Sequence, residues 1–166
     1  MYELGILVNT TTYEGWEIPI DPNDGTSATD VHGITKESIE LYGVTPSTVA
    51  KTFSRWINES SLVIAHNEDF DNQIMARFLS KEGFNPDFAH AAQRFCTMKS
   101  TTNICKIPHP KTGRPKWPKL IEAYEKLVDP RGFKGAHNAL VDVNACVDIF
   151  WALKDKELLP AGVLDV

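Results

Sequence analysis

The sequence predicts an α/β protein, in which a mixed β-sheet carries helices on both faces. Two apolar, β-prone segments open the chain, at residues 2–8 and 16–20. Strand patterns and helical patterns then alternate, an order typical of a sheet with helices packed against it. The 166 residues suffice for one domain with a sizeable core. We assign residues 1–156 to this domain and residues 157–166 to a C-terminal tail.

The first half of the chain gives four elements. Its two opening segments predict a hairpin or meander, because Tyr13–Gly15 supplies a turn before the second segment. Asp21–Asp30 is rich in turn-forming residues and predicts a loop. Thr45-Pro46 begins a helix, with proline at the first helical position. Ser61–Ala65 is apolar after its first residue and predicts a strand that is buried on both faces. The inward face of the helix consists of Val49, Phe53, Trp56 and Ile57.

The second half of the chain adds three helices and a strand. Asp71 opens a helix that Gly83 ends, and Arg94–Thr97 predicts another short strand. A helix follows Trp117-Pro118, and the last helix runs from about Ala139 to Leu153. The residues expected on the buried faces of the three helices are Ile74, Met75, Phe78 and Leu79, then Leu120, Tyr124 and Leu127, then Leu140, Val143, Val147, Phe150 and Leu153.

The composition is that of a globular protein, with 42% apolar and 23% charged residues. The sequence has no apolar run of about 18 residues, so we expect no membrane span. The first residues lack the charged and then apolar plan of a signal peptide. The three cysteines, Cys96, Cys105 and Cys146, predict free thiols in a reducing compartment, and therefore a cytoplasmic protein.

The net charge of −5 does not by itself indicate a nucleic-acid-binding protein. The charge is unevenly distributed, however. Lys99–Lys119 contains six basic residues and no acidic one, together with Trp117. A solvated loop and a contact with nucleic acid are both open for this stretch.

Two short segments carry the candidate chemistry. His66 and Asp71 follow the apolar strand, and His137 and Asp142 stand at the start of the last helix. The exposed backbone N–H groups of a helix N-terminus stabilise a carboxylate anion, which is a good oxygen ligand for Mg²⁺ or Mn²⁺. A histidine nearby titrates close to neutrality and suits proton abstraction from water.

Each of these residues also has a plain structural interpretation. Asp71 and Asp142 could simply begin their helices, and the two histidines could be ordinary loop residues. A zinc site made by Cys96, Cys105 and His109 is a further alternative, but their spacing fits no compact zinc pattern. The interpretation as a catalytic site therefore depends on the two segments occurring together.

The two segments belong to a collinear series of motifs. The series consists of Tyr2-Glu3-Leu4-Gly5, Val31-His32-Gly33-Ile34-Thr35, Ala65-His66-Asn67-x-x-Phe70-Asp71, Trp117-Pro118-x-Leu120 and Ala136-His137-Asn138-Ala139-Leu140-x-Asp142. In this order the series resembles the DnaQ-like (DEDDh) 3′→5′ exonucleases, and the resemblance covers nearly the whole chain. It implies a ribonuclease H-like fold and hydrolysis from the 3′ end of single-stranded DNA or RNA.

The resemblance also implies roles for individual residues. Two Mg²⁺ or Mn²⁺ ions would assist the reaction, with Asp142 as a metal ligand, Asp71 acting mainly through metal-bound water, and His137 as the general base. Substrate-binding residues are expected among His66, Asn67, His32, Trp117 and Lys116. For Trp117 a core or helix-entry position is the favoured alternative to stacking on a base.

The family's first motif, Asp-x-Glu on the first strand, normally precedes the segment that begins here at Tyr2. We therefore expect the first strand of the sheet to be missing, and with it two catalytic carboxylates. The second strand could pair directly with Ser61–Ala65, a second chain could donate a strand, or the natural chain could start further upstream, which we favour. We expect little or no exonuclease activity from this chain alone, with at most weak metal binding. The alternative function is a non-catalytic module that binds nucleic acid, a polymerase or another replication protein.

Overall fold

The computed structural model describes residues 25, 27–86 and 93–164. In that part of the chain the elements are α1 (Ala28–His32), α2 (Lys36–Tyr42), α3 (Pro46–Glu59), β1 (Leu62–Ala65), α4 (Glu68–Lys81), β2 (Gln93–Cys96), α5 (Thr97–Cys105), α6 (Leu120–Leu127) and α7 (Ala139–Asp155). The two predicted opening strands and the Tyr2-Glu3-Leu4-Gly5 motif lie outside the described residues. The expected absence of the first strand concerns the same part of the sheet and also lies outside them. None of the described helices has the length and apolar character that crossing a membrane requires.

The sheet in the described residues is a parallel pair of strands. Leu62 of β1 pairs with Gln93 of β2, and the register continues to Ala65 and Cys96. Both strands were predicted to within one residue. All four residues of β1 are half-buried rather than fully buried. The parallel pairing brings the carboxyl ends of both strands to the same edge of the sheet, and the candidate site lies at this edge.

The hydrophobic core joins β2, α6 and α7. The Phe95 ring meets the Phe150 ring edge-on, with 5.4 Å between their centroids. Leu159 and Val163, in the predicted tail, pack against the same cluster. The fully or largely buried members of the cluster are Phe95, Cys105, Ala123, Leu127, Ile149, Phe150 and Leu153.

The predicted inward face of the last helix is correct only in its second half. Phe150 and Leu153 are buried, whereas Leu140 and Val143 are each 41% exposed. The first turns of α7 do not lie over the core but border a cavity, so apolar residues there meet open space. Ala145 and Cys146 are buried in their place.

The helices depart from the sequence expectation at four places, one of which is α2 (Lys36–Tyr42), for which no helix was predicted. The predicted loop at Asp21–Asp30 contains the start of α1, where Ser27 and Asp30 form a reciprocal capping box. Helix α4 begins at Glu68, three residues before Asp71. Helix α5 was not predicted, because its threonines and its asparagine have low helix propensity.

Candidate active site

Asp71 and Asp142 line one cavity of about 410 Å³. The cavity lies where the carboxyl end of β1 meets the first turns of α4 and α7. Its lining residues are Ile64, Ala65, His66, Asp71, Leu120, Ala139, Asp142, Val143, Cys146 and Val147. The structure therefore brings together the two aspartates that the motifs singled out 71 positions apart in the sequence.

The first turn of α4 carries Asp71. The turn is entered through Asn67, whose left-handed backbone (φ 73°) redirects the chain from β1 into the helix. Glu68 is buried in this turn, and Arg94 of β2 forms an ion pair with it at 2.8 Å. Desolvation by the surrounding protein raises the pKa of the Asp71 carboxyl above its ordinary value, its own backbone N–H opposes this rise, and the negative charge of Glu68 adds to it.

The N-terminus of α7 carries Asp142. Asn138 caps the helix, since its side-chain oxygen accepts hydrogen bonds from the N–H groups of Leu140 and Val141 at 3.1 and 3.3 Å. The backbone N–H of His137 donates to a carboxylate oxygen of Asp142 at 3.1 Å. His137 has a left-handed backbone (φ 73°), so the chain turns sharply just before the helix. The Asp142 carboxylate is thereby held in place by the chain that precedes it.

The imidazole of His137 is exposed and is not part of the cavity wall. His137 lies two positions before Ala139 in the sequence, and Ala139 lines the cavity. The structure thus brings Asp71 and Asp142 together and leaves the predicted general base at the edge of their cavity, in contact with solvent.

His66 lines the cavity, but both of its ring nitrogens already have partners. Nε2 lies 3.0 Å from the carbonyl oxygen of Pro118, and Nδ1 lies 2.9 Å from the hydroxyl of Thr97. A carbonyl only accepts, so Nε2 carries the proton and Nδ1 accepts from Thr97 in the neutral ring. Burial lowers the pKa of His66, and the bond to Pro118 partly opposes this effect. His66 is therefore a neutral link between β1, β2 and the segment before α6.

The other predicted substrate-binding residues lie outside the cavity wall. His32 is exposed at the end of α1, where its Nδ1 accepts from the N–H of Ile34 at 3.0 Å. Lys116 forms an ion pair with Glu122 at 2.5 Å. Asn67 serves as the helix entry described above. Trp117 is 63% exposed, so a core position is wrong, and the adjacent Pro118 takes the buried place instead. The other alternative, a position at the entry to a helix, agrees with the start of α6 three residues later.

Sequence reasoning missed two residues that help to build the site. Thr97 is fully buried, and its hydroxyl contacts the Ala65 carbonyl and the Cys146 sulfur in addition to His66. Thr97 directly follows β2, just as His66 directly follows β1. Because the carboxyl ends of neighbouring parallel strands meet at the same edge of a sheet, these two residues could have been predicted to lie side by side. Cys146 lies one helical turn beyond Asp142, and burial raises the pKa of its thiol to about 11.

The cavity offers two carboxylates to a cation. Asp71 and Asp142 are hard oxygen donors, and together they balance the charge of one divalent ion. No cluster of three or more potential metal-ligating side chains occurs in the described part of the chain. That finding gives no support to the alternative zinc site at Cys96, Cys105 and His109.

The sequence does contain an Asp-x-Glu triplet, at Asp155-Lys156-Glu157. It stands at the far end of α7, on exposed residues. Thirteen positions at about 1.5 Å each separate Asp142 from Asp155 along the helix axis, or roughly 20 Å. This triplet therefore contributes no carboxylate to the cavity.

Comparisons with known proteins agree with the architecture. The model of the exonuclease family (RNase_T) matches residues 11–150. A crystal structure of E. coli Exonuclease I in complex with a dA16 oligonucleotide matches 77% of this chain at a TM-score of 0.61 and 16% identity. The zinc-bound form of the E. coli Exonuclease I complex with single-stranded DNA matches 76% of it at a TM-score of 0.58 and 15% identity. No curated protein matches the chain.

These comparisons confirm the predicted ribonuclease H-like α/β fold and the resemblance to DnaQ-like exonucleases. At such low identity the structural likeness shows the fold and nothing finer. The chain spans only 30% and 29% of the length of the two Exonuclease I structures.

Proposed function

This chain belongs to the exonuclease family, and we propose that its cavity hydrolyses phosphodiester bonds at the 3′ end of a single-stranded nucleic acid. The observation that carries the proposal is that Asp71 and Asp142 line one cavity, each from the first turn of a helix. The Exonuclease I structures that share the fold contain single-stranded DNA, which supports a substrate of this class.

Asp71 and Asp142 would hold a divalent cation, Mg²⁺ or Mn²⁺, through their carboxylate oxygens. A bound cation would supply positive charge for the scissile phosphate and acidify a water molecule for attack. Asp142 suits this role because its carboxylate already accepts the His137 N–H at 3.1 Å and is fixed by it. Partial burial and the nearby negative charge of Glu68 raise the pKa of Asp71, and a bound cation would offset both effects.

His137 would take the proton from the attacking water. Its imidazole is exposed two positions before Ala139, which lines the cavity, and would turn toward a bound 3′ end while its backbone N–H remains bonded to Asp142. The apolar part of the wall, with Val143 and Val147 of α7, would border the terminal nucleotide and exclude bulk water from it.

The activity of this chain remains predicted to be weak. The two carboxylates of the cavity neutralise one divalent ion and not two, so occupancy by a second ion would be low. We further propose that residues 1–156 form the exonuclease domain and that residues 157–166 are a C-terminal tail, of which Leu159 and Val163 pack against the core.

The experiment is digestion of a 5′-labelled single-stranded oligonucleotide over a titration of Mn²⁺ and Mg²⁺. We expect metal-dependent loss of nucleotides from the 3′ end, and its reduction by at least about a hundredfold in Asp142→Asn and Asp71→Asn. Asp155→Asn is the matched control, because it removes a carboxylate from the same helix but far from the cavity. Equal activity of Asp142→Asn and the control would refute the proposal. Oligonucleotide binding without any hydrolysis by the unmodified chain would favour the non-catalytic module instead.

A further inference from the structure

A short hairpin precedes α6, whose first residue, Leu120, lines the cavity. The N–H of Lys116 donates to the carbonyl of Ile107 and the N–H of His109 donates to the carbonyl of Arg114, both at 2.8 Å. At its tip, Gly113 has a left-handed backbone (φ 67°) and its N–H donates to the His109 carbonyl at 2.9 Å. Residues 107–116, called the basic hairpin below, therefore have a defined backbone shape.

The basic hairpin lies within Lys99–Lys119, a stretch that concentrates positive charge on a chain whose net charge is −5. Within Lys99–Lys119, Lys99 pairs with Asp69 and Lys116 pairs with Glu122. The remaining four basic residues are exposed and make no ion pair with another residue that the structure describes: Lys106, Lys111, Arg114 and Lys119. Positive side chains that form no ion pair within the described part of an acidic protein make a surface suited to an anionic ligand.

Trp117 directly follows the basic hairpin and is 63% exposed. Its backbone is not free to move away, because the next residue, Pro118, is buried and its carbonyl accepts the His66 Nε2–H. Three residues beyond Trp117, Leu120 lines the cavity. An exposed indole is thus anchored between the basic hairpin and the cavity that holds Asp71 and Asp142.

We propose that the basic hairpin and Trp117 bind the single strand that leads into the cavity. The phosphates lie along Lys111 and Arg114, and one unpaired base stacks on the Trp117 ring. A duplex offers no free base face at this position, so the surface selects single strands. This inference rests on the proposed function for the location of the 3′ end, but binding itself requires neither metal nor hydrolysis.

The test is the affinity of the full chain for a fluorescent single-stranded oligonucleotide in EDTA, measured by anisotropy. Loss of a stacked base should weaken binding about tenfold in Trp117→Ala. Trp151→Ala is the matched control, because Trp151 is also partly exposed (39%) but lies on α7 against Phe150 and Lys154. We expect the control to bind within twofold of the unmodified chain, and thermal unfolding confirms that both variants are folded.

The charge contribution has its own measurement. Replacing Lys111 and Arg114 together by glutamine should lower the slope of log affinity against log salt by about 1.4, since each phosphate contact to a single strand contributes about 0.7. Equal-length DNA and RNA strands identify the preferred polynucleotide, and a blunt duplex should bind at least about tenfold more weakly.

The outcomes separate this inference from the proposed function. Unchanged affinity in Trp117→Ala, equal binding of the duplex, or no measurable binding by the unmodified chain overturns the inference, even where hydrolysis is observed. Selective weakening in Trp117→Ala together with an absence of hydrolysis keeps the binding surface and overturns the nuclease proposal.

Discussion

The Thr97 hydroxyl provides the sharpest test of how the cavity is held together. Thr97→Val keeps the size and branching of the side chain but removes the group that contacts His66 Nδ1 at 2.9 Å and the Ala65 carbonyl at 3.3 Å. Thr97 is fully buried, which restricts the access of water to the partners that the lost hydroxyl leaves behind.

The expected cost follows from these contacts. A net hydrogen bond contributes about 1 kcal/mol, and a partner left unsatisfied in the interior costs about 1–3 kcal/mol. Because the His66 ring is only half-buried, its Nδ1 can recover part of its hydration. We therefore expect Thr97→Val to lower the free energy of unfolding by about 1–2 kcal/mol, which for a chain of this length shifts Tm by about 2–4 °C per kcal/mol.

Thr101→Val is the matched control for this substitution. Thr101 is a second fully buried threonine of the same helix, but its hydroxyl donates to the Thr97 carbonyl, one turn earlier, at 2.7 Å. That carbonyl keeps its helical N–H partner after the substitution. We expect a loss below about 1 kcal/mol.

Urea unfolding followed by circular dichroism, without added metal, measures all of these variants. A double-mutant cycle with His66→Phe should give a coupling of about 1 kcal/mol between positions 66 and 97. A coupling below about 0.3 kcal/mol, or equal losses in Thr97→Val and Thr101→Val, would falsify the assignment of His66 and Thr97 as a linked pair.

Three further predictions concern other parts of the fold. Gly113→Ala and Gly132→Ala should each cost about 1–2 kcal/mol, because both glycines have left-handed backbones. The larger loss is expected at Gly132, where a Cβ would lie 2.9 Å from the end of the Ile121 side chain and displace it, and chemical denaturation of the two variants compares them. The lowered pKa of His66 means that the unfolded chain binds a proton more readily, so stability should fall as the pH drops below about 6.5, and His66→Gln should flatten this fall in unfolding curves recorded between pH 7.5 and 5. Arg94→Met should lower the free energy of unfolding by about 1–3 kcal/mol because it leaves buried Glu68 without its ion pair. Adding Glu68→Gln should recover most of this loss. If the double variant instead loses the sum of the two single losses, the ion pair is not the reason.

Local patterns were enough to predict most of the described elements. β1 and α7 were recognisable because a short apolar run and a long helical repeat are strong signals. Helix α5 was missed because its threonines and its asparagine have low helix propensity. The helix is stabilised instead by the packing of Thr97, Met98 and Cys105 in the interior. The start of α4 was misplaced because Asn67 enters the helix through a left-handed backbone without a side-chain cap.

The candidate site was predictable in its residue types and not in its contacts. The motifs identified Asp71 and Asp142, and the structure places both on one cavity. The partners of His66 could not be read from the local sequence, because the bonds that hold its ring reach residues 31 and 52 positions away. Likewise, Trp117 is exposed and the neighbouring Pro118 is buried. Which of two adjacent apolar residues is buried depends on tertiary packing, so the local sequence did not predict it.

The long reach of the His66 bonds has a consequence for the order of folding. Closing loops of this length costs conformational entropy before any contact returns stability, so such contacts form slowly compared with the turns of an isolated helix. Residues 62–71 and 93–97 and the segment around Pro118 must all be in place before the ring of His66 has its partners. In a refolding experiment, helical circular dichroism should therefore recover first, and the burial of His66 should follow only with the last, cooperative phase. The cavity is thus a late product of folding, and no short fragment of the chain can contain it.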